Sequence, residues 1–255
     1  MRCVGFCSGR RGRRPLQTKR KSPAANGSSG ERLNESIVQA RSLCKDYRDG
    51  DAIAHVLRGV DLTIERGEFA AVMGPSGCGK TTLLNALGLM TPVTSADRLI
   101  IDGVDCLELT DAERTRARRE RIGFVFQRFN LLGTLSARRN VELALQLRGM
   151  PLDGKVDEVI GRVGLTEVAH RKPAHLSIGE QQRAAIARAV ACRPTLLLAD
   201  EPTGNLDSEN AAAVIKLFKH FHAAWDMTIV MITHSRECAE SADRVLQMRD
   251  GRIDA

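Results

Sequence analysis

Aromatic side chains are scarce in this chain. Phe, Trp and Tyr together make up 4% of the residues, with a single Trp and a single Tyr. A hydrophobic interior must therefore depend on Leu, Val, Ile and Ala. With 255 residues, 43% of them hydrophobic, the chain is long enough to bury a substantial core as one large or two small domains.

The seven cysteines form no C-x-x-C pair and no nearby Cys/His group. This spacing argues against a structural zinc site, and the odd number argues against a disulfide framework. Reduced thiols in a cytosol-like compartment are the natural interpretation.

Residues 1–30 lack acidic side chains but contain eight basic ones. Since the whole chain has 38 basic and 31 acidic residues, the remainder holds 30 basic against 31 acidic. The net charge of +7 therefore belongs to the tail, and we expect no nucleic-acid partner for the folded part. The Arg-, Gly- and Ser-rich composition predicts disorder over residues 1–35. A solvated extension, an upstream start codon and an organelle transit peptide all remain open.

No stretch is long and apolar enough to predict a bilayer span. The uncharged stretch Thr81–Ala96 is interrupted by polar residues and Pro92. If the protein works at a membrane, another polypeptide must supply the spanning part.

Predicted strands and helices alternate along most of the chain. Apolar runs predict buried strands at Phe69–Met73 and Thr195–Ala199, whereas residues from about 128 to 193 predict helices only. This order predicts an α/β protein with a mostly parallel sheet and an inserted helical subdomain. The other predicted strands are Ile37–Leu43, Val56–Ile64, Leu99–Ile101, Ile122–Phe126, Thr228–Thr233 and the hairpin Arg244–Ile253. The predicted helices cover about 79–90, Asp111–Arg121, Ala137–Leu147, Lys155–Val163, Glu180–Ala191 and Ser208–His222.

The segment GPSGCGKT, Gly74–Thr81, matches G-x-x-x-x-G-K-[ST] between a predicted strand and a predicted helix. Its glycines let backbone N–H groups face a phosphate, and the helix amino end adds positive potential. Lys80 can reach the β- and γ-phosphates, and the Thr81 hydroxyl can bind Mg²⁺. The predicted phosphate-binding residues are Gly74, Pro75, Ser76, Gly77, Cys78, Gly79, Lys80, Thr81 and Thr82.

A second segment, TLLLADE, delivers two carboxylates at the end of an apolar strand. Beside a phosphate loop, Asp200 would hold Mg²⁺. Glu201 would then point at the γ-phosphate, where a carboxylate can orient or deprotonate water. Alone, the segment would fit a strand that ends in a solvated acidic turn.

The segment LSIGEQQR, residues 176–183, contains no nucleophile-and-base pair and begins 96 residues after Lys80. Ser177 followed by Glu180 fits a capping box and predicts the start of a helix.

With these three segments in this order, the chain resembles the nucleotide-binding subunit of ATP-binding cassette (ABC) transporters, over roughly residues 36–255. In that family the third segment reads LSGGQ or LSGGE, and its helix caps the γ-phosphate of an ATP held by a second subunit. The resemblance implies a P-loop NTPase core with an N-terminal antiparallel β subdomain. It also implies a head-to-tail homodimer around two ATP, with Ser177 and the Gly179 amide as phosphate donors.

Four further positions take their roles from the resemblance alone. Tyr47 would stack on adenine, and Gln127 in GFVFQRFNLL would sense the γ-phosphate and Mg²⁺. Asp207 lies in the loop that crosses the dimer interface, and His234 in VMITHS would contact the γ-phosphate. The implied catalytic residues are Lys80, Gln127, Glu201 and His234, and the implied metal ligands are Thr81, Gln127 and Asp200.

Phrases such as LRGVDLTIERGEFAAVMGPSG and LLLADEPTGNLDS are similar to the macrolide-export and lipoprotein-release branch. This branch implies a separate integral membrane permease, a location on the cytoplasmic face of a membrane, and ATP hydrolysis that drives export. A soluble ABC ATPase of an iron–sulfur assembly complex remains the alternative. A P-loop kinase or GTPase would leave LSIGEQQR unexplained, and the sequence has no N-K-x-D.

Two residues depart from the family pattern. Ile178 replaces a glycine, and a β-branched residue there would be strained if the backbone requires a positive φ. Cys78 replaces a common serine, and beside helix-end amides its thiol is expected on the phosphate side with a lowered pKa.

Overall fold

The computed structural model describes residues 36–50 and 52–254. These residues belong to one compact unit, Asn34–Ala255. The predicted disorder of residues 1–35 lies outside the described residues and stays a prediction. None of the helices described has the length and apolar character required to cross a bilayer.

The described strands and helices follow the predicted alternation. The strands are β1 Ser36–Asp49, β2 Ala52–Glu65, β3 Phe69–Met73, β4 Arg98–Ile101, β5 Val104–Asp105, β6 Ile122–Val125, β7 Leu196–Asp200, β8 Thr228–Ile232, β9 Arg244–Arg249 and β10 Arg252–Ile253. The helices are α1 Lys80–Leu87, α2 Asp111–Arg121, α3 Ala137–Leu147, α4 Lys155–Arg162, α5 Ile178–Val190, α6 Ser208–Trp225 and α7 Arg236–Ala239.

The central sheet has the strand order β10-β9-β3-β8-β7-β6. Its pairs are parallel except for the antiparallel β9–β10 hairpin. Strands β3, β7 and β8 are nearly continuous runs of buried residues, as expected for strands covered on both faces. The predicted mostly parallel α/β sheet is confirmed.

The second sheet is antiparallel, with the order β2-β1-β4-β5. It forms the expected N-terminal β subdomain. β1 and β2 continue past their predicted ends to Asp49 and Ala52. Several side chains of these outer parts are exposed, and backbone pairing extends the two strands beyond the apolar pattern, so apolar periodicity could not reveal them.

Two hydrophobic clusters fill the unit, one on each face of the central sheet. In β7, Leu196 and Leu198 belong to one cluster, and Leu197 and Ala199 to the other, as strand alternation requires. The first cluster joins α3, α4 and α5 of the helical insert to the sheet and to α6. The second cluster joins α1 to the antiparallel sheet. The helical insert therefore packs directly on the body that carries the phosphate loop.

Candidate functional site

Four chemically important segments follow the carboxyl ends of neighbouring parallel strands. The phosphate loop follows β3, Gln127 follows β6, Glu201 follows β7, and His234 follows β8. Since the carboxyl ends of parallel strands lie at one edge of a sheet, these segments converge there. This edge is where ligands bind in open α/β folds.

The phosphate loop has the backbone that its glycines predict. Gly77 and Gly79 have φ of 79° and 106°, values that favour glycine. Lys80 is only 7% exposed, and its Nζ donates to the carbonyl oxygens of Gly74 and Pro75, each at 2.9 Å. These bonds hold the lysine across the loop, where an anion would replace the carbonyls as its partner. The cavity beside it, of about 240 Å³, is lined by Val56, Ser76, Gly77, Gly79, Lys80, Thr81, Thr82 and Glu201.

The predicted metal ligands Thr81 and Asp200 are adjacent. Thr81 Oγ1 donates to Asp200 Oδ1 at 3.3 Å. Burial raises the pKa of Asp200 above its ordinary value, and the neighbouring Glu201 carboxylate raises it further. A half-buried carboxylate beside a hydroxyl fits Mg²⁺, which takes oxygen ligands and commonly uses one or two protein groups plus phosphates and water. The described residues contain no cluster of three His, Cys, Asp or Glu side chains.

Glu201 is the centre of a second group of contacts. Its Oε2 accepts a hydrogen bond from Gln127 Nε2 at 3.1 Å and lies 3.4 Å from His234 Nδ1. Asn205 Nδ2 donates to the Gln127 carbonyl at 3.0 Å, which ties the loop after β7 to the loop after β6. The Glu201 backbone has φ of 42°, an uncommon conformation for a non-glycine residue and a recurrent feature of functional sites.

We call the six side chains that meet here the edge cluster. They are Lys80, Thr81, Gln127, Asp200, Glu201 and His234. The four predicted catalytic residues and the three predicted metal ligands are all in this cluster. Their roles in the chemistry stay predictions.

The LSIGEQQR segment begins helix α5 with a complete capping box. Ser177 Oγ accepts from the Glu180 N–H at 3.2 Å, and Glu180 Oε2 accepts from the Ser177 N–H at 2.7 Å. The bond from the Ser177 N–H lowers the pKa of Glu180 below its ordinary value. We call Ser177–Gly179 the α5 tip. Within the described part of the chain, no hydrogen bond joins the α5 tip to the edge cluster.

The backbone strain that was expected at Ile178 is absent. Ile178 is the first residue of α5 and does not have a positive φ, so a β-branched side chain is not strained there. Its side chain is 53% exposed. The close approach falls on Gly179, where a Cβ would lie 2.2 Å from Asn210 Oδ1 and the Asn210 side chain would have to move.

Cys78, the other departure from the family pattern, is buried. The side chain is 5% exposed and packs in the second hydrophobic cluster. Its Sγ lies 4.0 Å from Lys80 Nζ, and a Cβ on Gly74 would approach it to 2.8 Å. The thiol is therefore buried rather than open to solvent, yet it lies beside the lysine of the phosphate loop. Its location on the phosphate side stays a prediction.

Two predicted nucleotide-binding residues lie apart from the contacts of the edge cluster. Tyr47 is on β1 with a 43% exposed side chain, and Lys45 Nζ lies 4.9 Å from its ring centroid. The stacking of this ring on adenine stays a prediction. Asp207 caps α6 by accepting from the Asn210 N–H at 2.8 Å, and this bond lowers the pKa of Asp207.

The structure adds Asn210 and Arg188, which the sequence did not indicate. Asn210 Oδ1 accepts from Arg183 Nη1 at 3.2 Å and so joins α6 to α5 beside Gly179. Arg188, near the end of α5, donates to the backbone carbonyl of Phe129 at 2.9 Å. Both contacts join residues far apart in the sequence, so no local pattern could reveal them.

Comparison with known proteins places this geometry in a family. The ABC transporter family model matches residues 57–204, which include the phosphate loop, the α5 tip and both carboxylates. The macrolide export ATP-binding/permease protein MacB of Azoarcus sp. is 41% identical over 235 residues, or 91% of this chain and 35% of that protein. The chain thus spans about a third of the MacB relatives.

Other relatives match this chain over nearly their full length. The lipoprotein-releasing system ATP-binding protein LolD 1 of Rhodopseudomonas palustris is 41% identical over 222 residues, or 85% of this chain and 98% of that protein. The solved dimer of the cassette MJ0796 from Methanocaldococcus jannaschii, bound to ADP and Pi, superposes with a TM-score of 0.80 at 38% identity. The superposition covers 86% of this chain and 97% of the MJ0796 chain. On both sequence and structure, this chain belongs to the ABC transporter family.

Proposed function

We propose that this chain is the ATP-hydrolysing subunit of an exporter, and that two copies enclose two ATP and drive a separate membrane permease. The supporting observation is the division of the site. The edge cluster is complete in one chain, whereas the α5 tip presents a helix amino end that this cluster does not use. A helix amino end attracts phosphate. The tip of one protomer is thus suited to the ATP held by the other.

The residues that bind ATP act before any bond is broken. Lys80 and the amides of Gly77 and Gly79 bind the β- and γ-phosphates, and Tyr47 stacks on adenine. Thr81, Asp200 and Gln127 would hold Mg²⁺, whose positive charge would offset the charge of the phosphates. Lys80 changes partners in this step, from the two loop carbonyls to the phosphates.

Hydrolysis then depends on Glu201. Its carboxylate orients a water and accepts a proton from it, while Gln127 and His234 contact Oε2. The water oxygen bonds to the γ-phosphorus as the bond from that phosphorus to the ADP oxygen breaks, which releases phosphate and ADP. The γ-phosphate is contacted by His234 of the protomer that holds the ATP. It is also contacted by Ser177 of the opposite protomer. Catalysis rests on positioning and on charge stabilisation, as in other phosphoryl transfers. Loss of the γ-phosphate removes the link between the protomers, and the dimer reopens.

The relatives support the dimer and the permease partner. The solved cassette is described as dimeric and bound to ADP and Pi. The MacB relatives are named ATP-binding/permease proteins, and the LolD relatives belong to a lipoprotein-releasing system. We therefore place this chain on the cytoplasmic face of a membrane, bound to a permease that exports lipoprotein, peptide or macrolide-type cargo.

Co-purification tests the proposal. We expect the tagged full-length chain, extracted from membranes in mild detergent, to retain a polytopic membrane protein and to hydrolyse ATP with Mg²⁺. Lys80→Ala should abolish the hydrolysis but retain the membrane partner. Recovery of only a soluble scaffold protein would contradict the transporter assignment and favour an assembly ATPase.

A further inference from the structure

The loop after β6 has an unusual backbone just beyond Gln127. Phe129 and Asn130 both have positive φ, 56° and 50°. This conformation is unfavourable for a bulky side chain such as Phe and requires support from surrounding structure. We call residues 127–130 the Gln127 loop.

Arg188 supplies that support. Its guanidinium donates to the carbonyl of Phe129 at 2.9 Å and, through its other terminal nitrogen, to the carbonyl of Asn130. Burial lowers the pKa of Arg188 below its usual range, but an arginine remains charged at neutral pH. Charge-assisted bonds in a planar fork are strong and directional. The side chain therefore fixes two consecutive strained residues at once.

Two further contacts of the Gln127 loop reach the edge cluster and the loop after β7. The Gln127 side chain donates to Glu201, and the Gln127 carbonyl accepts from Asn205. A shift of Phe129 by a fraction of an ångström would thus move a side chain that holds the catalytic carboxylate.

Arg188 is also mechanically linked to the α5 tip. Ser177 caps the amino end of α5, and Arg188 lies in its last turn, about 16 Å further along the axis at 1.5 Å per residue. The helix between them packs in the core through Ala184, Ile186 and Ala187. A helix packed in this way moves as a rigid rod, so displacement of its tip is transmitted to its end.

We propose that Arg188 is a positioning residue that couples the α5 tip to Gln127. Engagement of the tip by the ATP of the opposite protomer then adjusts Glu201 at this protomer's own ATP. The idea rests on the proposed dimeric function, because only a dimer supplies a phosphate to the tip. The Arg188 contact itself exists in the single chain and can be tested there.

The first measurement is hydrogen exchange of the nucleotide-free full-length chain, read by mass spectrometry. The amides of Phe129 and Asn130 donate to the carbonyls of Phe126 and Arg128. We expect Arg188→Met to speed their exchange about tenfold or more, and Arg188→Lys to have an intermediate effect, since it keeps the charge and loses the fork.

Arg148 provides a matched control. It is also half-buried, burial also lowers its pKa, and it donates to the carbonyls of Glu120 and Ile122, outside the Gln127 loop. Arg148→Met should lower the free energy of unfolding by about as much as Arg188→Met does. It should leave hydrogen exchange at Phe129 and Asn130 unchanged.

The second measurement separates binding from turnover. Arg188→Met should lower kcat for ATP about tenfold and leave the Kd for ATP within about twofold, because the phosphate loop is untouched. Arg188→Lys should recover part of kcat, and Arg148→Met should retain all of it. Unchanged exchange in Arg188→Met, or a change equal to that of Arg148→Met, would overturn the inference. A different result is faster exchange in Arg188→Met together with no ATP hydrolysis by the unmodified chain. It would refute the proposed function, but it would still support the contact between Arg188 and the Gln127 loop.

Discussion

The edge cluster and the α5 tip differ in how complete they are within one chain. In the edge cluster, Thr81 contacts Asp200, and Glu201 contacts both Gln127 and His234. The α5 tip satisfies its own backbone with a capping box and turns the exposed Ile178 outwards. The contacts of the edge cluster are therefore made within one chain, whereas the α5 tip leaves an apolar side chain exposed. Changes in the two regions should therefore affect different steps.

The largest expected effect separates hydrolysis from assembly. Glu201→Gln keeps the shape of the side chain and removes the base, so kcat should fall at least about a hundredfold while ATP still binds. The variant should accumulate as an ATP-loaded dimer in size-exclusion chromatography with light scattering. Normal turnover in this variant would remove Glu201 from its proposed role.

A change at the α5 tip should leave binding by the single chain intact. Ser177→Ala removes both the helix cap and the phosphate donor, and we expect kcat to fall about tenfold with an unchanged Kd for ATP in the monomer. Thr110→Ala is the matched control, since Thr110 and Glu113 form the same capping box on α2. Each variant should lose about 1 kcal/mol of stability, but only the first should lose activity. If Ser177→Ala and Thr110→Ala had equal ATPase activities, Ser177 would act only as a helix cap and not as a phosphate donor.

A third change tests whether burial of the Asp200 carboxylate destabilises the nucleotide-free chain. Because the pKa of Asp200 is raised in the fold, the folded state holds its proton more tightly than the unfolded chain does. The nucleotide-free chain therefore loses stability as pH rises from the ordinary value of 3.8 through the raised value, and the loss is complete above it.

Asp200→Asn removes this cost. At pH 7 without Mg²⁺ and ATP, we expect its Tm to exceed that of the unmodified chain, and the difference to vanish below pH 3.8. The exposed Asp153→Asn should leave Tm unchanged. A lower Tm for Asp200→Asn at pH 7 would show that its carboxylate is favourably paired rather than destabilised by burial.

The smallest effect concerns Ile178. Since its backbone is helical and unstrained, Ile178→Gly and Ile178→Ala should change ATPase turnover in the assembled complex by the same factor, within about twofold of each other. The glycine variant should be less stable by about 0.5–1 kcal/mol. Faster turnover in the glycine variant alone would restore backbone strain as the explanation.

Local chemistry decided which of these features could be predicted from the sequence. The bounds of β3 and α2 agree with the predictions, because an apolar run and a capped, charged helix are marked by neighbouring residues. Lys80, Thr81, Asp200 and Glu201 of the edge cluster were predicted for the same reason, since each belongs to a recognisable motif. The roles of Gln127 and His234 came from the family resemblance. Their meeting at one edge then follows from a parallel sheet.

The features that escaped prediction all depend on tertiary contacts. Cys78 is buried in a cluster that also contains the distant residue Met248. Ile178 is relaxed because it begins α5 without a positive φ, and the close approach falls on the following residue, where Gly179 meets Asn210. Arg188 and Phe129 are 59 residues apart, so their pairing leaves no trace in either neighbourhood.

The shared packing of the helical insert has a consequence for how this protein can be divided. Val159 and Ile186 of the insert lie in the same hydrophobic cluster as Leu197 of the sheet and Phe218 of α6. Excision of residues 128–193 would leave one side of the sheet bare, and the excised piece would expose its own apolar side to water. Neither fragment would be a stable protein, so exchanging this insert with that of a relative requires matching substitutions on the sheet and on α6.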